Sequence, residues 1–283
     1  MVDAVTRAPV EYRARVVFLC ASALESTRIL LNSTGPEGVA GLGASSGALG
    51  RYLMDHTMGG GASGLVDGFP DRAVSGQRPN GIYLARFRNV TDQQPGLLHG
   101  YASQGGANRG GWSRGQGMAG IGRDFKHALR KPGPWRMQLY GFGECLPRAE
   151  NRVELDPGTS DAWGVPALRI HCAWGENERT MLADMRDQAA EMLDAAGAKG
   201  IQPFLQDNPP GLTIHEMGTA RMGRDPATSV LNGWNQVWEA PNVFVTDGAC
   251  MASSANQNPS ITYMALTARA AAHAVRLLGR KEL

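Results

Sequence analysis

Residues 211–278 read GLTIHEMGTARMGRDPATSVLNGWNQVWEAPNVFVTDGACMASSANQNPSITYMALTARAAAHAVRLL. The stretch has three parts. A His on a short apolar run is followed by glycines: His215, Gly218 and Gly223. An apolar strand, Val243 to Thr246, then ends in Asp247-Gly248. A polar loop finally runs into a helix at Asn258-Pro259, where Asn is a good N-cap and Pro suits the first helical position. The Ala-rich composition sustains that helix to Leu278. A strand, a tight small-residue loop and a helix N-terminus together make a place for an anion or a polarised carbonyl. A His brought from another loop can act there as a base.

The pattern H-x-M-G-T-x-R-M-G from His215, the strand ending in D-G and the N-P pair opening a long helix resemble the C-terminal signature of the glucose-methanol-choline (GMC) flavin oxidoreductases. The bacterial sugar and polyol dehydrogenase branch is the most similar. The resemblance implies His215 as catalytic base and Asn258 as the second catalytic position. It places Asp247 and Gly248 at the FAD pyrophosphate, and Pro259, Ser260 and Thr262 near the flavin ring. Residues 20 to 31, CASALESTRILL, resemble another family segment, A-G-A-x-x-S-x-R-L-L, which adds Ala21 and Ser22 to the cofactor-binding set. Ser22 stands where the family usually has Gly.

A chain of 283 residues with 42% hydrophobic content allows one large domain or two small ones with a real core. The 28 basic and 26 acidic residues nearly balance, which favours neither a nucleic-acid surface nor a membrane-binding face. The 37 glycines imply many tight turns or close backbone approaches. Cys20, Cys145, Cys172 and Cys250 lack ligand spacing and read as buried thiols. No apolar run reaches membrane-spanning length and no signal-peptide pattern opens the chain. The expected location is cytoplasmic by default, with association in the periplasm left open.

Toward the N-terminus, Val16 to Ala21 reads as a buried parallel strand, and Leu24 to Asn32 as a helix. Arg28 on that helix reads as a structural or solvated residue. The dinucleotide fingerprint G-x-G-x-x-G is expected upstream of this segment in the family, and nothing before Val16 holds it. Gly59-Gly60-Gly61 and the cluster from Gly105 to Gly111 read as loops. The resemblance thus covers nearly all of this chain and about the C-terminal half of the family. A truncated reading frame and a separate polypeptide for the other half are both open.

Residues 33 to 57 read as a Gly/Ser loop ending in Gly50-Arg51-Tyr52-Leu53-Met54-Asp55-His56, similar to a family run G-R-x-L-x-D-H. Asp55 and His56 read either as groups near the isoalloxazine side or the domain junction, or as a structural hydrogen-bonded pair. Gly81 to Phe87 and Arg136 to Phe142 alternate as half-buried strands. Ser103 to Trp112 between them reads as a lid over a substrate pocket or a plain surface loop. His99 and His127 have no acidic partner near in sequence and read as surface residues. Trp112, Trp135 and Trp163 read as core or rim packing before sugar stacking. Asn151 to Pro157 is expected to hold a turn between antiparallel strands. Residues 177 to 196 give the clearest helix: Met181, Leu182, Met185, Ala189, Met192, Leu193 and Ala196 share one stripe, and Gly197 stops it.

A zinc-protease reading of His215-Glu216 fails because Thr219 stands where the second His belongs. A serine-hydrolase reading fails for want of G-x-S-x-G after a strand. Arg221 and Arg224 read as anion-attracting groups or as partners of Asp225. The expected fold class is α+β or α/β: an incomplete FAD-binding Rossmann-like domain plus an antiparallel-sheet substrate domain with helices. The expected division is 1–57 partial FAD-binding domain, 58–210 substrate-binding domain and 211–283 return to the FAD-binding domain. The resemblance implies an FAD-dependent oxidoreductase acting on CH-OH groups of a sugar, polyol or other alcohol. His215 would abstract the hydroxyl proton as hydride moves to the flavin, and the rate would rise with pH as the imidazole loses its proton. FAD is not expected to be retained without the N-terminal half. The implied partners are a small-molecule alcohol, an N-terminal half or separate FAD-binding subunit, and a cytochrome or quinone electron acceptor. The alternative reading is a catalytically silent fragment or partner-dependent scaffold subunit.

Overall fold

The computed structural model describes residues 2–34, 41–72, 81–206 and 208–283. Residues 35–40 of the expected Gly/Ser loop and 73–80 of the expected substrate-domain sheet lie outside these. In chain order the elements are β1 (Val17–Leu19), α1 (Ala23–Asn32), β2 (Thr57–Val66), β3 (Gly81–Leu84), β4 (Tyr101–Arg109), α2 (Gly122–Arg130), β5 (Trp135–Gly143), β6 (Arg152–Ser160), β7 (Pro166–His171), α3 (Glu176–Ala195), β8 (Lys199–Leu205), β9 (Gln236–Val237), β10 (Ala240–Val245) and α4 (Ser260–Gly279). They divide into two compact units. One comprises Met1–His56, Cys145–Trp174 and Pro209–Leu283, and the other Thr57–Glu144 and Gly175–Asn208. Residues 145–174, expected with the substrate-binding segment, therefore fold with the first unit.

The first unit holds a sheet of order β1-β10-β9. β1 lies parallel to β10, with Val17 opposite Val243 and Leu19 opposite Val245. β1 is not the buried strand the sequence suggests: Val17 and Phe18 are 39% and 38% exposed. Among the described residues β1 pairs on one edge alone, and its side chains are left partly open to solvent. Phe18 stacks on Phe244 at 4.8 Å. The core against this sheet is built of small side chains, including Ala23, Ala48, Ala220, Ala249 and Cys250, around Leu30, Leu231 and Val245. Small residues let α1 and the 217–222 segment approach closely, which is the packing a short sheet with tight loops requires.

Arg28 on α1 is structural. It donates to Asp161 at 2.7 Å and to the carbonyls of Val165 and Pro166 at 3.0 and 2.8 Å, tying α1 to the β6–β7 turn. That turn also lies later than the sequence suggests. Asp156-Pro157 sits inside β6, where the register shifts between Leu155 and Ser160, and the chain reverses at Asp161–Val165. α4 spans nearly the helix expected from sequence. Pro259 already has helical backbone angles, and no side chain caps the helix.

The second unit is an antiparallel sheet of order β3-β4-β5-β2-β8. The first glycine cluster read as a loop is strand, and so is the start of the second, while Gly110 and Gly111 lie beyond the strand end. Gly59–Gly61 lies in β2, and Gly105–Gly106 lies in β4, the neighbour of β5. The physical reason is close approach rather than flexibility. A Cβ on Gly60 would lie 2.2 Å from the Leu182 carbonyl oxygen of α3, and one on Gly105 would lie 2.0 Å from the Gln138 oxygen of β5. Gly141 and Gly143 of β5 likewise accept Met185 and Met181. The bare strip of sheet is the seat of α3, which buries Met181, Leu182, Met185, Ala189 and Leu193. Ala196, expected on that stripe, is exposed at the helix end, and Gly197 beyond it has φ 79.

Three further expectations change in this unit. The helix α2 follows β4 in a stretch expected to be substrate-domain sheet. His99 is not a solitary surface His: its Nδ1 meets the buried Glu144 carboxylate, which also takes Arg86 at 2.8 Å. Trp112 is 63% exposed rather than packed. Trp163, in the first unit, is 47% exposed. Among the described residues no helix is long and apolar enough to cross a membrane, and no group of His, Cys, Asp and Glu is arranged to hold a metal.

Candidate active site

The site lies within the first unit, where residues 217–222 thread between two other segments. On one side Met217 exchanges both main-chain hydrogen bonds with Met54 at 2.9 Å. On the other, the N–H groups of Gly218, Ala220 and Met222 donate to the carbonyls of Gly248, Ala249 and Cys250 at 3.0 Å each. Gly218 is obligatory here. Its φ is 86, and a Cβ would lie 2.0 Å from the Tyr52 oxygen. The glycine of the H-x-M-G motif therefore lets the His-bearing loop lie directly against the 52–54 segment.

Asp55 fixes the loop that carries His215. Its carboxylate accepts from the N–H groups of Gly211 at 2.8 Å, Thr213 at 3.4 Å and His215 at 3.3 Å, and from the Thr213 hydroxyl. Asp55 is 2% exposed, so these bonds replace the water an ionised carboxylate would otherwise need. Of the two readings open for the Asp-His run, Asp55 takes the structural one. The ring of His56 turns to His215.

His215 sits between two nitrogen partners. Its Nδ1 is 3.1 Å from Nδ1 of His56, with the rings edge to face at 4.8 Å between centroids. Its Nε2 is 3.0 Å from Nδ2 of Asn258. His56 is 1% exposed, and burial, reinforced by the neighbouring His215, pushes its pKa down to about 4. Asp55 and main-chain groups of Ala255 and Gln257 work against that shift without cancelling it. Asn258 was expected to cap α4. Its amide is turned to His215, and the helix start is left without a side-chain cap.

A cavity of about 240 Å³ opens beside this group, lined in part by Ser22, Ala23, His215, Asp247, Gly248 and Pro259. Gly248 packs closely on main chain at this point: a Cβ on it would lie 2.4 Å from the Glu216 oxygen. Asp247 does not project freely. Its carboxylate accepts from the Ser26 hydroxyl at 2.5 Å and from the Ala249 N–H at 2.9 Å, and Ser26 in turn accepts from the Ala21 N–H at 3.0 Å. Burial raises its pKa against those bonds. Ser22 adopts φ 74 and ψ 163, a conformation natural to glycine. Ala21, Ser260 and Thr262 stand outside the cavity lining; the Ser260 hydroxyl meets the Tyr263 hydroxyl at 2.8 Å. Arg221 lies over the Tyr52 ring at 3.7 Å and donates to the Thr228 carbonyl rather than pairing with Asp225.

The site thus joins Ser22, His215, Asp247, Gly248, Asn258 and Pro259, all named from sequence. Sequence reasoning missed the clamp from Asp55 through Thr213 and the pairing of His56 with His215. The signal available was the adjacent Asp55-His56 pair, but neither partner is near it in the chain.

Residues 147–267 match the family model described as GMC oxidoreductase. The chain is similar to 2-methyl-1,2-propanediol dehydrogenase from Mycolicibacterium austroafricanum, 32% identical over 95% of this chain and 49% of the relative. It is similar also to the fructose dehydrogenase large subunit from Gluconobacter japonicus, 27% identical over 91% of this chain and 46% of the relative. It spans about half the length of these curated relatives. Among solved structures, pyridoxine 4-oxidase from Mesorbium loti matches with a TM-score of 0.55 at 18% identity, covering 91% of this chain and 51% of that one. That likeness shows the fold.

Proposed function

Because the chain carries the C-terminal domain of the GMC oxidoreductases, FAD-dependent enzymes acting on CH-OH groups, we propose that it supplies the proton-accepting side of an alcohol-oxidising site. The observation that carries this reading is the His215–Asn258 pair at 3.0 Å beside the cavity. Both nitrogens can reach one hydroxyl oxygen. His215 Nε2 accepts the hydroxyl proton, and the Asn258 amide donates to the oxygen as negative charge grows on it.

The residues present fit FAD. The cavity has small residues, Cys20, Ser22, Ala23 and Gly248, beside the larger Ile214, His215, Glu216 and Tyr263, and the start of α4, which no side chain caps, suits an electron-rich ring or a phosphate. Ser22, Asp247, Gly248 and Pro259, which line the cavity, would hold it, with Ala21, Ser260 and Thr262 flanking them outside the lining. What FAD supplies when bound is a hydride acceptor for the carbinol carbon. Asp247 holds the 247–249 turn through Ser26 and Ala249, so its part is to orient backbone rather than to meet a phosphate with its charge. Sugars and polyols are the favoured substrates, in line with the diol and fructose named for the two relatives.

The test is anaerobic flavin reduction by substrate in the protein with its flavin-binding complement present, read separately from flavin content. His215→Ala should slow reduction by roughly 10²–10⁴-fold with flavin content unchanged. Asn258→Ala should slow it less, as the loss of one donor. An unaltered rate in His215→Ala would overturn the assignment.

A second reading, a partner-dependent scaffold subunit, is favoured by one observation. Val17 and Phe18 on β1 and Ile261, Met264 and Val275 on α4 present apolar surface to solvent. Flavin content that is normal together with no substrate reduction in the complemented protein would select it.

A further inference from the structure

We propose that His56 is a positioning residue that sets the tautomer of His215, leaving Nε2 of His215 as the unprotonated nitrogen that faces the substrate oxygen. The inference rests on the assignment of His215 as the base and adds to it the group that holds the base ready.

The protons can be followed along the chain of contacts from Asn258 to His56. A carboxamide NH2 can only donate, so at 3.0 Å from Asn258 Nδ2 the Nε2 of His215 is an acceptor. A neutral imidazole has one N–H, so the proton of His215 is on Nδ1. That nitrogen is 3.1 Å from Nδ1 of His56, which must then accept, and His56 carries its own proton on Nε2. The reverse assignment sets two donors against each other at the Asn258–His215 contact.

The surroundings support each link. His56 is 1% exposed and kept neutral by burial, so its ring retains an acceptor nitrogen. The titratable groups facing it are Asp55 and His215. Main-chain groups of Ala255 and Gln257 act on the ring in the opposite direction to burial without cancelling it. Asp55 pins the His215 main chain by accepting its N–H at 3.3 Å. The adjacent residues therefore act on different parts of the base, since Asp55 places the backbone of His215 and His56 orients its ring.

The test is long-range proton–nitrogen NMR of the full chain with 15N-labelled histidine, near neutral pH. His215 should show a protonated Nδ1 and a bare Nε2, and His56 the opposite pattern. His56→Phe keeps a flat ring but removes the acceptor, and should release His215 into a mixture of tautomers. His56→Gln offers a carbonyl to Nδ1–H and should restore the single tautomer. Nε2-protonated His215 in the parent chain, or an unchanged tautomer in His56→Phe, would overturn the proposal. The parent spectrum decides even if neither variant folds. The readout involves no turnover, so it stands apart from the His215→Ala rate, which tests the base assignment itself.

Discussion

At Ser22 the chain holds a non-glycine residue at φ 74 and ψ 163, while its side chain makes no cap hydrogen bond to α1. The strain is uncompensated by any bond of the hydroxyl to the helix start. Ser22→Gly should therefore raise stability by about 1 kcal/mol, the relief of strain less the added freedom of glycine in the unfolded chain. Urea unfolding measures it, and a loss of stability would show that the serine does more than occupy the turn. His56 carries a pH signature. Its folded pKa is about 4 against 6.5 for the free side chain, so the unfolded chain binds the extra proton between those values. The contribution is complete above pH 6.5 and falls away as pH drops toward 4, up to about 3 kcal/mol. Comparing the unfolding free energy of the parent and His56→Gln across that range should show a shallower acid slope in the variant. Equal slopes would mean that His56 is not held neutral.

At the scale of elements, α3 lies on a sheet strip stripped of side chains. Gly60 faces the Leu182 carbonyl, which belongs to the helix backbone and cannot swing aside as a side chain can. Gly60→Ala should cost roughly 2–3 kcal/mol through displacement of α3. Gly111, with an ordinary φ of −84 and nothing within 4 Å of a Cβ, is the matched control, and Gly111→Ala should change stability by less than about 0.5 kcal/mol. Denaturant midpoints of the two variants separate packing from composition; equal effects would refute the close-approach account.

For the molecule as a whole, β1 leaves one edge unpaired among the described residues, and α4 exposes Ile261, Met264 and Val275 at 77%, 65% and 68%. These positions recur on one side of the helix at helical spacing, forming an apolar stripe rather than scattered single residues. The 283-residue chain by itself should associate with rising concentration. Ile261→Glu with Val275→Lys, each charge suited to its end of the helix dipole, should weaken that association with helicity retained. Sedimentation velocity gives the answer, and a double variant that associates as the parent does would remove the stripe from the explanation.

The local pieces of the site were legible in the amino-acid order. The H-x-M-G-T-x-R-M-G run, the strand into Asp247-Gly248 and the N-P entry to α4 are each readable because turn, cap and helix signals are local. The α3 stripe was readable for the same reason, since its period is carried by neighbouring residues. Contacts between distant segments settled the rest. Gly59–Gly61 and Gly105–Gly106 looked like loops because nothing near them in sequence reveals a helix backbone at 2.2 Å or a strand carbonyl at 2.0 Å. Val16 to Ala21 looked buried because burial depends on what covers the face, and the run of apolar residues says only that a cover is favoured. His56 looked no different from any buried histidine until the fold brought it 3.1 Å from a residue 159 positions away. A donor–acceptor chain is a property of distance and direction, and neither is written along the chain.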